Sequence, residues 1–162
     1  MKSIIYDSPC GHMRLTAEGG AVCAVDWIKD EVISALEEDA SAPEDVVLLD
    51  ELMAQLDEYF RGERCSFELS LRTSGTEFQE AVWSELQKIP YSTTVSYSEI
   101  ARRIGRPTAV RAVGHAIHCN PIGILIPCHR VIGADGNLKG FAGGLEAKRF
   151  LLALEQKHTS FL

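Results

Sequence analysis

Pro127-Cys128-His129-Arg130-Val131 sets a thiol, an imidazole and a guanidinium on consecutive residues. Cysteine attacks as its thiolate, and neighbouring cationic or hydrogen-bonding groups favour that form. Adjacency alone does not make a reactive pair, because most cysteines in a folded chain are small buried hydrophobes. Nucleophilic chemistry also needs a third group that orients the base. Glu155, near the end of the last apolar-periodic segment, is a candidate for that task, and a solvated helix-terminal carboxylate is the competing reading. The five cysteines, Cys10, Cys23, Cys65, Cys119 and Cys128, are odd in number, and no two have Cys-x-x-Cys spacing. That argues against a disulfide framework and against a zinc ribbon. Cys10, His12 and Cys23 lack a zinc spacing, so no metal is expected. His115 and His118 read as helix-face residues, and Cys119 as either a plain helix residue or a second thiol.

These groups must be positioned by the elements around them. The apolar Ile124-Leu125-Ile126 reads as a buried strand leading into the cysteine. The residues before Gly75 read as strands followed by one helix. Ile4–Tyr6, Met13–Ala17 and Ala21–Trp27 are short and apolar or alternating, punctuated at Pro9, Gly11 and Gly19-Gly20. The acidic stretch Glu37–Asp45, with Pro43, reads as a loop. From Val46 to Phe60 apolar residues recur at three- and four-residue spacing, which predicts an amphipathic helix stopped at Gly62.

After Ser74-Gly75 the pattern turns helical. Thr76 with Gln79 forms a capping box ahead of Phe78, Val82, Trp83 and Leu86, and Ser96 with Glu99 forms a second. Thr108 is placed to cap a further helix, which Asn120-Pro121 must end. The two short helices flanking Gly105-Arg106-Pro107 are spaced like a helix-turn-helix, with Arg102, Arg103, Arg106 and Arg111 on or beside them. A Gly-rich passage then leads to a last helix over Leu145–Glu155. The division expected is an α/β domain over 1–74, a small antiparallel sheet plus helix, and a mostly α domain over 75–162 with a winged-helix-like helix-turn-helix.

At 162 residues the chain is long enough to bury a core. No stretch approaches the roughly 18 apolar residues of a membrane span, and the first residues lack a signal peptide's apolar segment. A cytoplasmic location with no membrane partner is the expectation. The net charge of −7 argues against a DNA partner until its distribution is considered. Residues 1–75 hold 6 basic and 16 acidic side chains, whereas 76–162 hold 10 basic and 7 acidic. Within 100–149 there are 8 basic residues against 2 acidic. An anionic partner would meet the C-terminal half, although a solvated charged face would give the same clustering.

The run Asn120-Pro121-Ile122-Gly123-Ile124-Leu125-Ile126-Pro127-Cys128-His129-Arg130-Val131-Ile132-Gly133 resembles the active-site signature of the O6-alkylguanine-DNA alkyltransferases, or methylated-DNA–protein-cysteine methyltransferases. The similarity continues through Val95-Ser96-Tyr97, Arg111-Ala112-Val113-Gly114, Gly140–Glu146 and Leu151–Glu155, collinear over 76–156. It is looser before residue 76, resting on Tyr6-Asp7-Ser8-Pro9 and the strand-then-helix order. The resemblance is to the short, stand-alone form. It implies direct reversal of damage in double-stranded DNA containing O6-alkylguanine, by a monomer that reacts once and needs no cofactor. O4-alkylthymine is a second candidate substrate.

In the family's terms Cys128 is the acceptor, His129 the base acting through a water, and Glu155 the group that fixes the imidazole tautomer. Tyr97 protonates the departing guanine, and Asn120 ties backbone near the cysteine. Arg111 fills the hole left by the flipped base. Phe141, Ala142 and Gly143 wall the pocket, and Arg130 and Val131 are grouped with the DNA- and substrate-binding residues. Where some relatives carry Tyr-Ser, this chain has Phe141-Ala142, losing two hydroxyls. The alternatives are a non-catalytic alkyl-lesion sensor, which would lack the acceptor cysteine, and a helix-turn-helix DNA-binding regulator with an inert Cys128.

Overall fold

The computed structural model describes residues 1–29 and 42–159, and the chain divides into two compact units, Met1–Arg72 and Thr73–Leu162. In the first unit, strands β1 (Lys2–Ser8), β2 (Gly11–Glu18) and β3 (Ala21–Trp27) form an antiparallel sheet in sequence order. The register runs from Lys2↔Ala17 to Ser8↔Gly11, with a bulge between Thr16 and Ala17 on the β3 side. One face packs under helix α1 (Pro43–Phe60), where Leu49, Leu52, Leu56 and Tyr59 meet Met13, Leu15, Ala17, Val22 and Val25, all buried. Each such aliphatic side chain contributes about 1.5–3 kcal/mol on burial.

The loop expected over Glu37–Asp45 lies partly outside the described residues, and its last part is corrected: Pro43, Glu44 and Asp45 are the first turn of α1. Proline lacks the N–H that a first helical turn leaves unbonded, so Pro43 opens the helix instead of excluding it. Asp45 is buried there and accepts a hydrogen bond from the Gly20 N–H at 3.0 Å, which fastens the β2–β3 turn.

The second unit holds helices α2 (Glu77–Leu86), α3 (Tyr97–Arg103), α4 (Val110–His118) and α5 (Leu145–Lys157). Strands β4 (Val95–Ser96) and β5 (Val131–Ile132) pair in parallel, Val95 with Val131 and Ser96 with Ile132. The capping box at Thr76 and Gln79 is complete. At Ser96 only half of it forms: the Glu99 N–H donates to Ser96 Oγ, while the Glu99 carboxylate is occupied by Arg102 and Arg103. Thr108 does not cap α4. The Ala109 N–H closes a turn onto the Arg106 carbonyl, leaving Thr108 inside that turn and Ala109 as the N-cap. Gly105, at φ +76, makes the bend between α3 and α4; a Cβ there would meet nothing, so the need is conformational.

The strand expected over Ile124–Ile126 is replaced by tight turns. The Ile126 N–H donates to the Ile122 carbonyl, the Leu125 N–H to Gly123, and the Cys128 N–H to Ile126. Ile124 has φ +68, a left-handed conformation that a β-branched residue adopts only where its surroundings impose it. All three residues are buried, so an apolar run bounded by proline reads as a core strand although the backbone coils on itself. Trp83 donates from Nε1 to the Ala116 carbonyl at 2.8 Å, holding α2 against α4.

Candidate active site

Cys128 opens a single 3-10 turn, Cys128–Arg130, directly after the coiled apolar run and directly before β5. The parallel pairing of β5 with β4 brings this turn beside Tyr97, the residue that follows β4 and begins α3. All three turn residues are buried, with His129 at 0% and Cys128 at 6% exposure. Asn120, just past α4, donates from Nδ2 to the Ile126 carbonyl at 2.9 Å and accepts from the Ile122 N–H at 3.1 Å. It thereby closes the apolar loop on itself beside Cys128, where its side chain favours the thiolate.

His129 and Glu155 lie in the interior. His129 Nε2 is 2.6 Å from Glu155 Oε2, and both residues are at most 1% exposed. Arg130 donates from Nε to Glu155 Oε1 at 2.8 Å, from Nη2 to Oε2 at 3.1 Å, and from Nη1 to the Ile89 carbonyl at 2.7 Å. The Ser92 N–H also donates to Glu155 Oε1 at 3.0 Å. Burial pulls the Glu155 carboxyl upward, but hydrogen bonds and charge from His129 and Arg130 outweigh it and hold it well below the usual carboxylate range. Burial lowers the His129 pKa against the opposing pull of Glu155. The pair is therefore an ionised carboxylate and a neutral imidazole. A carboxylate only accepts, so Nε2 carries the hydrogen and Nδ1 keeps its lone pair. Nδ1 is buried and has no hydrogen-bond partner among the described residues.

Lys148 is the functional-site group that sequence reasoning missed. It is 1% exposed on α5, and its Nζ donates to the Val131 carbonyl at 2.6 Å and reaches the Lys139 carbonyl at 3.4 Å. Its Nζ also stands 5.8 Å from the centre of the Tyr97 ring. The available signal was positional: Lys148, Leu151 and Glu155 share one helical face, and a lysine on the apolar face of a helix has a reason to be there. Burial lowers the Lys148 pKa, with the Cys128 charge opposing. Burial likewise pushes the Cys128 thiol up, while the Asn120 hydrogen bond and the Lys148 charge pull it down. Burial, then the neighbouring Cys128 charge, raises Tyr97. Cys128, Tyr97, Asn120 and Lys148 thus form one electrostatic neighbourhood in which the resting cysteine is a protected thiol.

The remaining expected residues fall elsewhere. Arg111 is exposed in the first turn of α4 and makes no ion pair among the described residues. Phe141, Ala142 and Gly143 lie in the loop before α5, where the Gly144 N–H closes a turn onto the Phe141 carbonyl at 2.9 Å. Val131 is buried in β5. Arg130, grouped by sequence with the DNA- and substrate-binding residues, is 7% exposed, and its guanidinium is committed to Glu155 and Ile89.

Both units match known families. Residues 77–157 match the family described as 6-O-methylguanine DNA methyltransferase, DNA binding domain, and residues 1–73 match 6-O-methylguanine DNA methyltransferase, ribonuclease-like domain. The chain is 46% identical over 151 residues to a methylated-DNA–protein-cysteine methyltransferase of Methanosarcina acetivorans, covering 93% of this chain and 96% of that one. It is 41% identical to the protein of that name from Haemophilus influenzae, over 93% and 84% of the two chains. Among solved structures it is similar to Mycobacterium tuberculosis OGT in complex with DNA, with a TM-score of 0.83 and 42% identity over 95% of this chain and 92% of that one.

Proposed function

The chain belongs to the 6-O-methylguanine DNA methyltransferase family, and on that premise we propose that Cys128 is the residue that takes the alkyl group. The protein repairs DNA by direct reversal, moving an alkyl group irreversibly from guanine O6 to its own cysteine, once per molecule. The observation that carries the assignment is the 2.6 Å His129–Glu155 contact, buried in the same turn as the only thiol at 6% exposure or less among the described residues.

An O6-alkyl group is stacked inside the duplex, so a thiol reaches it only after the nucleotide is turned out, which costs a few kcal/mol. In this reading α3 and α4 act as a helix-turn-helix, with Arg111 stacking in the space the base leaves. Phe141, Ala142, Gly143 and Val131 wall the pocket for the extruded base. The neutral His129 takes the thiol proton through a water at Nδ1, and Glu155 stabilises the imidazolium that forms. A new bond forms between Sγ and the alkyl carbon as the carbon–O6 bond breaks, and its electron pair stays with guanine. Tyr97, a phenol held uncharged, supplies the hydrogen bond and proton that guanine needs as it leaves. The net result moves the thiol hydrogen to guanine and leaves a thioether that no group here can cleave. Residues 1–74 support this machinery and 75–162 carry it. The protein acts as a monomer in the cytoplasm, with O4-alkylthymine as a second substrate.

The test is intact mass after mixing with a duplex that holds one O6-methylguanine, followed by peptide mapping. The expected result is one added methyl, on Cys128, saturating at one per protein. Binding of the lesion with no mass gain would put the chain among non-catalytic sensors, and methylation at another cysteine would move the acceptor.

A further inference from the structure

The exposed arginines of the second unit fall into two kinds. Arg106, Arg111 and Arg149 are exposed and make no ion pair or side-chain hydrogen bond among the described residues. Arg102 and Arg103 are held by one carboxylate. Glu99 lies in the first turn of α3, three and four residues before them, so all three side chains share a helical face. Arg102 donates from Nε to Glu99 Oε2 at 2.9 Å and from Nη2 to Oε1 at 2.6 Å, and Arg103 donates from Nε to Oε1 at 3.0 Å. Both carboxylate oxygens are used, and the planar fork of Arg102 is matched in the two-point geometry a phosphate would otherwise take.

We propose that Glu99 is an electrostatic restraint on DNA binding: it withholds the Arg102–Arg103 pair from backbone phosphates and so limits affinity for undamaged duplex. The proposal rests on the reading of α3 and α4 as the DNA-binding pair. Two guanidiniums alone would present two positive charges; with Glu99 the group presents one, and an approaching phosphate also meets a negative oxygen. Phosphate neutralisation supplies essentially all sequence-independent affinity, and undamaged sites vastly outnumber lesions, so surplus affinity retains the protein where it has nothing to repair. A positioning residue that trims this affinity shortens the search without touching the chemistry. The Arg102 hydrogen bonds, then those of Arg103, hold the Glu99 carboxyl down at about 2. The restraint therefore persists at any pH used to assay repair.

The test is the salt dependence of binding to an undamaged duplex by the full chain, compared among wild type, Glu99→Gln, Arg102→Gln/Arg103→Gln and the triple variant. Glutamine keeps the side-chain length, the Glu99 backbone N–H that bonds Ser96 Oγ is unaffected, and superimposable thermal melts establish that the fold is kept. Each additional phosphate neutralised steepens log K against log salt by about 0.9. The expected result for Glu99→Gln is one such increment, so that cutting salt from 200 to 50 mM tightens this variant about 3–4-fold more than wild type. The arginine substitutions are expected to flatten the slope more in the Glu99→Gln background than in wild type. With excess undamaged competitor, single-turnover transfer from a lesion duplex should slow in Glu99→Gln. Parallel slopes for Glu99→Gln and wild type, both binding, would overturn the restraint. Failure of the wild type to bind duplex at any salt would overturn the DNA reading of α3 and α4, and the restraint with it.

Discussion

Glu155 shares two carboxylate oxygens among a buried imidazole, a buried guanidinium and the half-buried Ser92 N–H. Removing its charge leaves the Arg130 guanidinium buried without a counter-ion, a change that costs about 3–5 kcal/mol where it has been measured. Glu155→Gln should therefore lower stability by about that much, read by urea unfolding, and slow alkyl transfer in single-turnover assays. The pH response follows from the same pair. The His129 pKa is lowered in the folded state, so the neutral base is present at neutral pH, and transfer should stay level down to about pH 6.5 and fall only below it. Stability has the same sign. Both His129 and Glu155 have depressed folded values, so the unfolded chain takes up protons first and acid unfolds the protein. The loss should begin below about pH 6.5 and deepen below about 4.3, the unfolded imidazole and carboxylate values. A rate that falls between pH 8 and 7 would contradict the neutral imidazole.

Lys148 connects elements, because its ammonium on α5 spans the Val131 carbonyl of β5 and the Lys139 carbonyl of the loop between them. Lys148→Met keeps most of the volume but leaves two carbonyls unpaired, each costing about 1–3 kcal/mol if buried. It also removes the cation that favours the Cys128 thiolate, so slower transfer should accompany the lower stability. Gly105 tests the α3–α4 bend separately. Nothing blocks a Cβ there, so Gly105→Ala should cost only the left-handed conformation, about 1–2 kcal/mol. That loss should appear in denaturant melts together with weaker DNA binding.

These elements were not equally legible in the sequence. The three strands, the Thr76 cap and the final helix carry local signals, namely alternation, a Ser/Thr–Gln pair and a 3.6-residue period. The turns at 122–126 and the β4–β5 pairing carry none. Two-residue parallel strands have no period, and Ile124 takes its conformation from its surroundings. Cys128, His129, Glu155, Tyr97 and Asn120 could be named because motif and order preserve them, whereas the burial of Arg130 and Lys148 is decided by which carbonyls and carboxylates fold around them.

Charge belongs to the whole molecule. The first unit is strongly acidic and the second basic, so a duplex drawn to one is repelled by the other. Glu44 and Asp50 are exposed on α1, and Glu44→Gln/Asp50→Asn should speed association with duplex in low salt. The gain should vanish near 0.15 M salt, where screening acts within about 8 Å. Stopped-flow association across ionic strengths reads both limits. The five thiols divide as well: Cys119 is exposed at the end of α4, while Cys128 is buried and its thiol is held protonated. Limiting iodoacetamide should modify Cys119 well before Cys128, by peptide mapping. For a protein consumed by its reaction, that difference is a matter of shelf life. Each molecule is a single dose of reagent, and the interior that slows Cys128's ionisation keeps the dose from going stale on peroxides and stray electrophiles before a damaged base reaches it.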